Sequence, residues 1–133
     1  MNSGAATLAR LPLLLIEDER SVMDFIRTAL ERNGYACSTA NSAAEGIRTL
    51  ETGSFGGIIS DMRTPGGVDG AQVHAWIAQH RPDLVSRIVF ITGDIANEET
   101  VAILRATGAP CVEKPFRVQQ FIDVVFKTMG RAQ

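Results

Sequence analysis

The sequence predicts an α/β fold: a parallel sheet of five strands with helices on both faces. Two observations carry this. The chain holds short apolar runs without polar alternation, which is how strands covered on both faces read. Between the runs lie segments whose apolar residues recur at helical spacing, and a strict strand–helix alternation implies right-handed crossovers. The organising run is Gly57-Ile58-Ile59-Ser60, which stops at Asp61 and is followed by the loop Pro65-Gly66-Gly67. Ligands of open α/β sheets bind beyond the carboxyl ends of the strands. Asp61 is therefore placed at the mouth of the sheet.

The elements follow in order. Residues 1–10 are small and polar without a period and read as a flexible leader; residues 11–130 read as one domain. Residues 11–16 form the first strand, ended by Glu17-Asp18-Glu19. Val22, Ile26, Ala29 and Leu30 mark a helix that Asn33-Gly34 stops. Residues 35–39 form a second, more polar strand suited to a sheet edge. Ser42-Ala43-Ala44-Glu45 has the form of a capping box and opens a helix through Ile47 and Leu50 to Gly53. The third strand, residues 55–60, precedes a turn-rich loop over 62–70. Val73, Trp76, Ile77 and His80 form the next helical stripe, which Pro82 prevents from continuing. Residues 87–92 are a fourth strand; Asn97 then caps a helix whose Glu98 and Glu99 suit its positive end, and Gly108 closes it. Residues 109–113 are the fifth strand. Pro115 starts a last helix with Val118, Phe121, Ile122, Val125 and Met129 on one face.

Composition narrows the function classes. A chain of 133 residues, 45% hydrophobic and 21% charged, is long enough for one buried core. Its formal charge of −2 gives no general attraction to nucleic acid or anionic lipid. The run over 11–16 is too short for a membrane span or a signal-peptide core. Cys37 and Cys111 fall in separate strands without metal spacing, as reduced thiols of a cytoplasmic protein would.

The strand ends collect a short polar set: Glu17-Asp18 after the first, Asp61 after the third, Thr92 after the fourth and Lys114 after the fifth. Three carboxylates at one edge repel one another unless a cation neutralises them. Hard oxygen ligands of this kind suit Mg²⁺. A hydroxyl donor and a lysine point charge beside them are groups suited to a phosphoryl group. No Walker-type loop is present to hold a nucleotide. A carboxylate can instead accept the phosphoryl group covalently, as an acyl phosphate.

On these residues the chain resembles a two-component response-regulator receiver domain, of the chemotaxis-regulator type, over about residues 13–129. The resemblance implies a flavodoxin-like (βα)5 sandwich with sheet order 2-1-3-4-5. It implies Asp61 as phospho-acceptor, with Mg²⁺ held by Asp18, Asp61 and the main-chain carbonyl of Arg63 and with Glu17 acting through water. Thr92, followed by Gly93, resembles the switch hydroxyl and its slot. Lys114-Pro115 resembles the closing motif, with the peptide bond usually cis. The donor would be a histidine kinase or phosphotransfer protein. The readout would be a downstream protein bound through the fourth helix, fifth strand and fifth helix of a monomer or weak dimer.

Three departures stand out. Glu17-Asp18 replaces the commoner Asp-Asp, and the loop 65–70 is one residue longer than usual. Cys111 stands where receivers usually carry the aromatic that swings inward with the threonine, and a cysteine has no ring to make that movement. Around Phe90 and Gly108 the segments look most like receivers attached to sensor histidine kinases. No output domain is expected after Met129, so a free regulator and a module of a longer kinase both remain open. Arg63 and Asp94 flank the pocket and are candidates to gate water or to pair; Glu19 reads as a solvated loop charge. His74 and His80 read as surface or partly buried residues of the third helix, and Trp76 as core or helix surface. An aspartyl-phosphate hydrolase is disfavoured because Arg63 occupies the position of its acid/base aspartate. A receiver-like module that is never phosphorylated is the other rival.

Overall fold

The first apolar run forms β1 (Leu13–Ile16), every residue of which is buried. It is joined by β2 (Cys37–Ala40), β3 (Gly57–Asp61), β4 (Ile88–Thr92) and β5 (Cys111–Glu113), all parallel, in the order β2-β1-β3-β4-β5. This computed structural model describes residues 8–63, 69–93 and 95–130. Among them, the helices between the strands are α1 (Arg20–Arg32), α2 (Ala43–Thr52), α3 (Gly70–His80), α4 (Glu98–Thr107) and α5 (Val118–Met129). The fold is the expected flavodoxin-like sandwich.

Successive strand side chains point to opposite faces, and here both faces are apolar. Leu13, Leu15, Ile59, Val89, Ile91 and Val112 meet α1 and α5 on one side. Leu14, Ile16, Ile58, Ile88 and Phe90 meet α2 and α3 on the other, where Ile103 and Leu104 of α4 also rest. The half-exposed residues of β2 mark it as an edge strand, as its polarity predicted. Helix and sheet approach closely at Gly46, where an added Cβ would lie 2.4 Å from Ile16 Cδ1.

Several expectations are corrected. Residues 8–10 are helical rather than part of a leader, with Leu8 packed against the core because Gly56 lets its carbonyl come close; residues 1–7 lie outside the described residues. The second strand begins at Cys37, not at residue 35: Tyr35 is buried below the sheet and its hydroxyl donates to the Gly130 carbonyl. Ser42 does cap α2, accepting from the Glu45 N–H at 3.1 Å, but Glu45 accepts from Asn41 rather than from Ser42. The reciprocal capping box belongs to α3, between Asp69 and Gln72. Pro115 does not start the last helix. It sits in a cis bond with Lys114, and α5 begins at Val118 after Arg117. Of the loop expected over 62–70, residues 64–68 lie outside the described residues, as does Asp94.

Candidate functional site

Four of the strand ends converge at the carboxyl edge of the sheet. Glu17 follows β1, Asp61 closes β3, Thr92 closes β4, and Lys114 follows β5. Glu17 is fully buried, and Thr92 and Asp61 are nearly so, while Asp18 is exposed. Oxygens of Glu17, Asp18 and Asp61 all lie within 4.8 Å of one another. Their rigidity comes from the strands behind them, whose pairing runs through Ile16 with Ser60 and Asp61 with Ile91.

Lys114 organises the charges. Its Nζ donates to Glu17 Oε1 and to Asp61 Oδ2, each at 2.9 Å. The other oxygen of each carboxylate takes a backbone N–H: Glu17 Oε2 from Glu19 at 3.0 Å, and Asp61 Oδ1 from Arg63 at 3.1 Å. Glu19, read as a solvated charge, thus contributes through its backbone. Both acids are satisfied on both oxygens, which a buried carboxylate needs. Burial pushes the Glu17 carboxyl above its ordinary value, and the hydrogen bonds from Glu19 and Lys114 offset this only in part. For Lys114, burial acts to lower the pKa, but the bonds to Asp61 and Glu17 outweigh it and the ammonium is held above its ordinary value. With all three acids ionised, one ammonium leaves two negative charges uncompensated. That donor set of hard oxygens fits a divalent cation such as Mg²⁺.

The remaining predicted residues are placed as follows. The Lys114 N–H donates to the Thr92 carbonyl at 2.7 Å, joining the two ends, and the Lys114–Pro115 bond is cis as the resemblance implied. Cys111 opens β5 opposite Phe90, half-buried on the face that also carries Ile103 and Leu104. Burial pushes its thiol up to about 11, with Glu113 and Asp61 adding to the shift. The Arg63 guanidinium does not lie over Asp61; it reaches Glu99 on α4 at 3.5 Å. Glu99 is a site neighbour that sequence reasoning assigned only to the helix end, because 36 residues separate the pair.

Away from the edge, Trp76 is half-buried and stacks on exposed His80 at 4.5 Å. His74 packs its ring 6.3 Å from Phe90 and buries an Nε2 without a hydrogen-bond partner among the described residues. Burial lowers its pKa. An apolar groove of about 430 Å³ opens beside Lys114, lined by Ser21, Val22, Phe25, Pro115 and Phe116.

Residues 13–126 match the family described as "Response regulator receiver domain". The chain belongs to this family. Among its relatives, the receiver shares 32% identity over 84% of its length with the alginate biosynthesis transcriptional regulatory protein AlgB of Pseudomonas syringae, spanning 24% of that protein. It shares 28% identity over 88% of its length with the response regulator receiver protein CpdR of Brucella abortus, spanning 95% of it. The chain spans about a quarter of the length of the first regulators it matches, 23% for the response regulator protein FleR of Pseudomonas aeruginosa. A CheY-like receiver structure from Methanospirillum hungatei superposes with a TM-score of 0.80 at 21% identity, over 90% of this chain and 94% of that one. That likeness concerns the fold. Among the described residues, no helix of the receiver is long and apolar enough to cross a membrane.

Proposed function

We propose that this receiver takes a phosphoryl group onto Asp61 from a histidine kinase or phosphotransfer protein, and that the modified state alters a protein-binding face. The observation that carries the reading is Lys114 bridging Asp61 and Glu17 at 2.9 Å each beside exposed Asp18. A carboxylate held on a strand end, with a fixed ammonium beside it, is arranged to act as a nucleophile and to have the incoming charge neutralised.

In the transfer, an Asp61 oxygen bonds to phosphorus as the phosphorus–nitrogen bond of the donor phosphohistidine breaks. The electron pair stays on the imidazole nitrogen, which then takes a proton. Lys114 gives up its contact with Asp61 for a phosphoryl oxygen, and the Thr92 hydroxyl turns to donate to another. Asp18, Asp61 and the Arg63 carbonyl would hold Mg²⁺, with Glu17 acting through water. The ion would supply charge neutralisation of the phosphoryl oxygens. The groove at Val22, Phe25 and Phe116 borders Lys114 and offers the donor protein an apolar seat; Phe25 is 45% exposed. The readout face would be α4, β5 and α5, with Thr92 and Cys111 behind it. The location would be cytoplasmic and the domain monomeric or weakly dimeric.

Intact mass after incubation with acetyl phosphate and Mg²⁺, for the wild type and Asp61→Asn, tests this. A base-labile gain of one phosphoryl group in the wild type alone is expected. No gain in a folded wild type would overturn the phospho-switch and favour a constitutive interaction module. A gain that survives Asp61→Asn would mean another acceptor, and release of phosphate over many turnovers would mean a hydrolase.

A further inference from the structure

We propose that Arg63 couples Asp61 to α4 by exchanging partners: it holds Glu99 while Asp61 is a free carboxylate and turns to the phosphoryl oxygens once Asp61 is modified. The inference rests on the reading of Asp61 as the acceptor.

Three observations meet here. First, Arg63 has an anchored backbone and a free-reaching side chain. Its N–H is fixed on Asp61 Oδ1 at 3.1 Å and Met62 before it is buried, yet its side chain is 58% exposed. A long flexible stem on a fixed Cα next to the acceptor can swing between two partners. Second, its present partner is Glu99, on the first turn of α4, at 3.5 Å and with 70% of the side chain exposed. Such a pair shifts an equilibrium only a few-fold, so a stronger anion nearby displaces it. Third, α4 is held weakly enough for so small a bias to count. Thr100 is its one buried residue among those described, whereas α1 and α5 each bury four.

The chemistry gives the exchange a direction. The unmodified Asp61 already has Lys114 on one oxygen and the Arg63 N–H on the other, so the guanidinium has no reason to fold back. An acyl phosphate adds a group with up to two negative charges and three acceptor oxygens, which suits the planar fork of arginine better than one exposed carboxylate. Moving the guanidinium leaves Glu99 without its counter-ion and loosens the first turn of α4. Asn97 closes that turn, accepting from the Thr100 N–H at 3.1 Å with its side chain and from the Val101 N–H at 3.0 Å with its backbone.

A double-mutant cycle with Arg63→Ala and Glu99→Gln tests the coupling, using Mg²⁺ with beryllofluoride as the phosphoryl stand-in. Without ligand, each single variant should raise amide exchange at Thr100 and Val101 about two- to five-fold, the double variant no further, and α5 should not change. With ligand, the wild type should show the same rise. Glu99→Gln should tighten beryllofluoride binding about two- to five-fold by freeing Arg63, and should have no effect in the Arg63→Ala background. Unchanged exchange in both single variants, or an equal Glu99→Gln effect with and without Arg63, would overturn the coupling while leaving the acceptor reading intact. If fluorine NMR shows no beryllofluoride adduct on the wild type, the acceptor reading falls and the coupling with it.

Discussion

The two helices that flank β5 are held in opposite ways. On one side of the sheet, α5 buries Phe121, Ile122, Val125 and Met129, and Phe121 stacks on Phe116 at 5.4 Å. Its last turn is tied down as well, by Arg87 donating to the Met129 carbonyl at 2.9 Å and by Tyr35 donating to Gly130. Gly57 lets that turn seat on the sheet, since a Cβ there would lie 2.3 Å from Met129 Sδ. On the other side, α4 buries only Thr100, with Ile103 and Leu104 half-covered. What defines α4 is its ends: the Asn97 side chain on the Thr100 N–H, and Gly108 in the left-handed region at φ 67°. One helix is fixed by the core and the other by its caps. A small local charge change can therefore move α4 while α5 stays.

The contrast breaks most severely in the core. Phe121→Ala should lose about 3–5 kcal/mol of unfolding free energy in urea, from lost burial and the cavity left behind. Leu104→Ala on α4 should lose less, about 1–2 kcal/mol, because that side chain packs against the core but stays partly exposed, so its removal leaves no closed cavity. Equal losses would mean that α4 is as much part of the core as α5.

The caps give the next effects. Gly108→Ala meets no neighbouring atom, so its expected loss of about 1–2 kcal/mol is the backbone cost of the left-handed conformation alone. Asn97→Ala should lose about 1 kcal/mol and speed amide exchange through α4. Arg117→Ala, at the start of α5, should change little, since no side-chain bond caps that helix. A larger loss at Arg117 than at Asn97 would invert the comparison.

The smallest effect lies in the thiols. Burial pushes Cys37, on the α1 and α5 side, up to about 12, and Cys111, on the α4 side, up to about 11. At pH 8 both should alkylate far more slowly than a free thiol, with Cys111 the faster of the two. The folded thiols keep their protons above the ordinary value, so their contribution to stability is present below about pH 9 and falls as pH rises towards 11 and 12. Faster labelling of Cys37 would contradict the looser packing of the α4 side.

The apolar runs Leu13–Ile16 and Ile88–Thr92 announced themselves because strands covered on both faces have no polar register to hide. The strand-end residues Glu17, Asp61, Thr92 and Lys114 were legible for the same reason: a polar residue that stops an apolar run stands at the edge of the sheet. Pro115 misled because a helix N-terminus and a cis turn place the same residue type in the same sequence context. Likewise, the cap pattern at Ser42 and the box at Asp69 differ only in where a glutamate or glutamine side chain turns.

By itself the sequence determined the layered α/β architecture and the family, since both follow from local periodicity and from residue types at strand ends. Tertiary structure alone decided that Lys114 spans Glu17 and Asp61, across 97 and 53 residues of chain, and that Arg63 reaches Glu99. It also decided how differently α4 and α5 are held, although both carry apolar residues at helical spacing. The physical reason is range. Backbone preference and hydrophobic period act within a few residues, whereas charge pairing and burial depend on which surfaces the folded chain brings together.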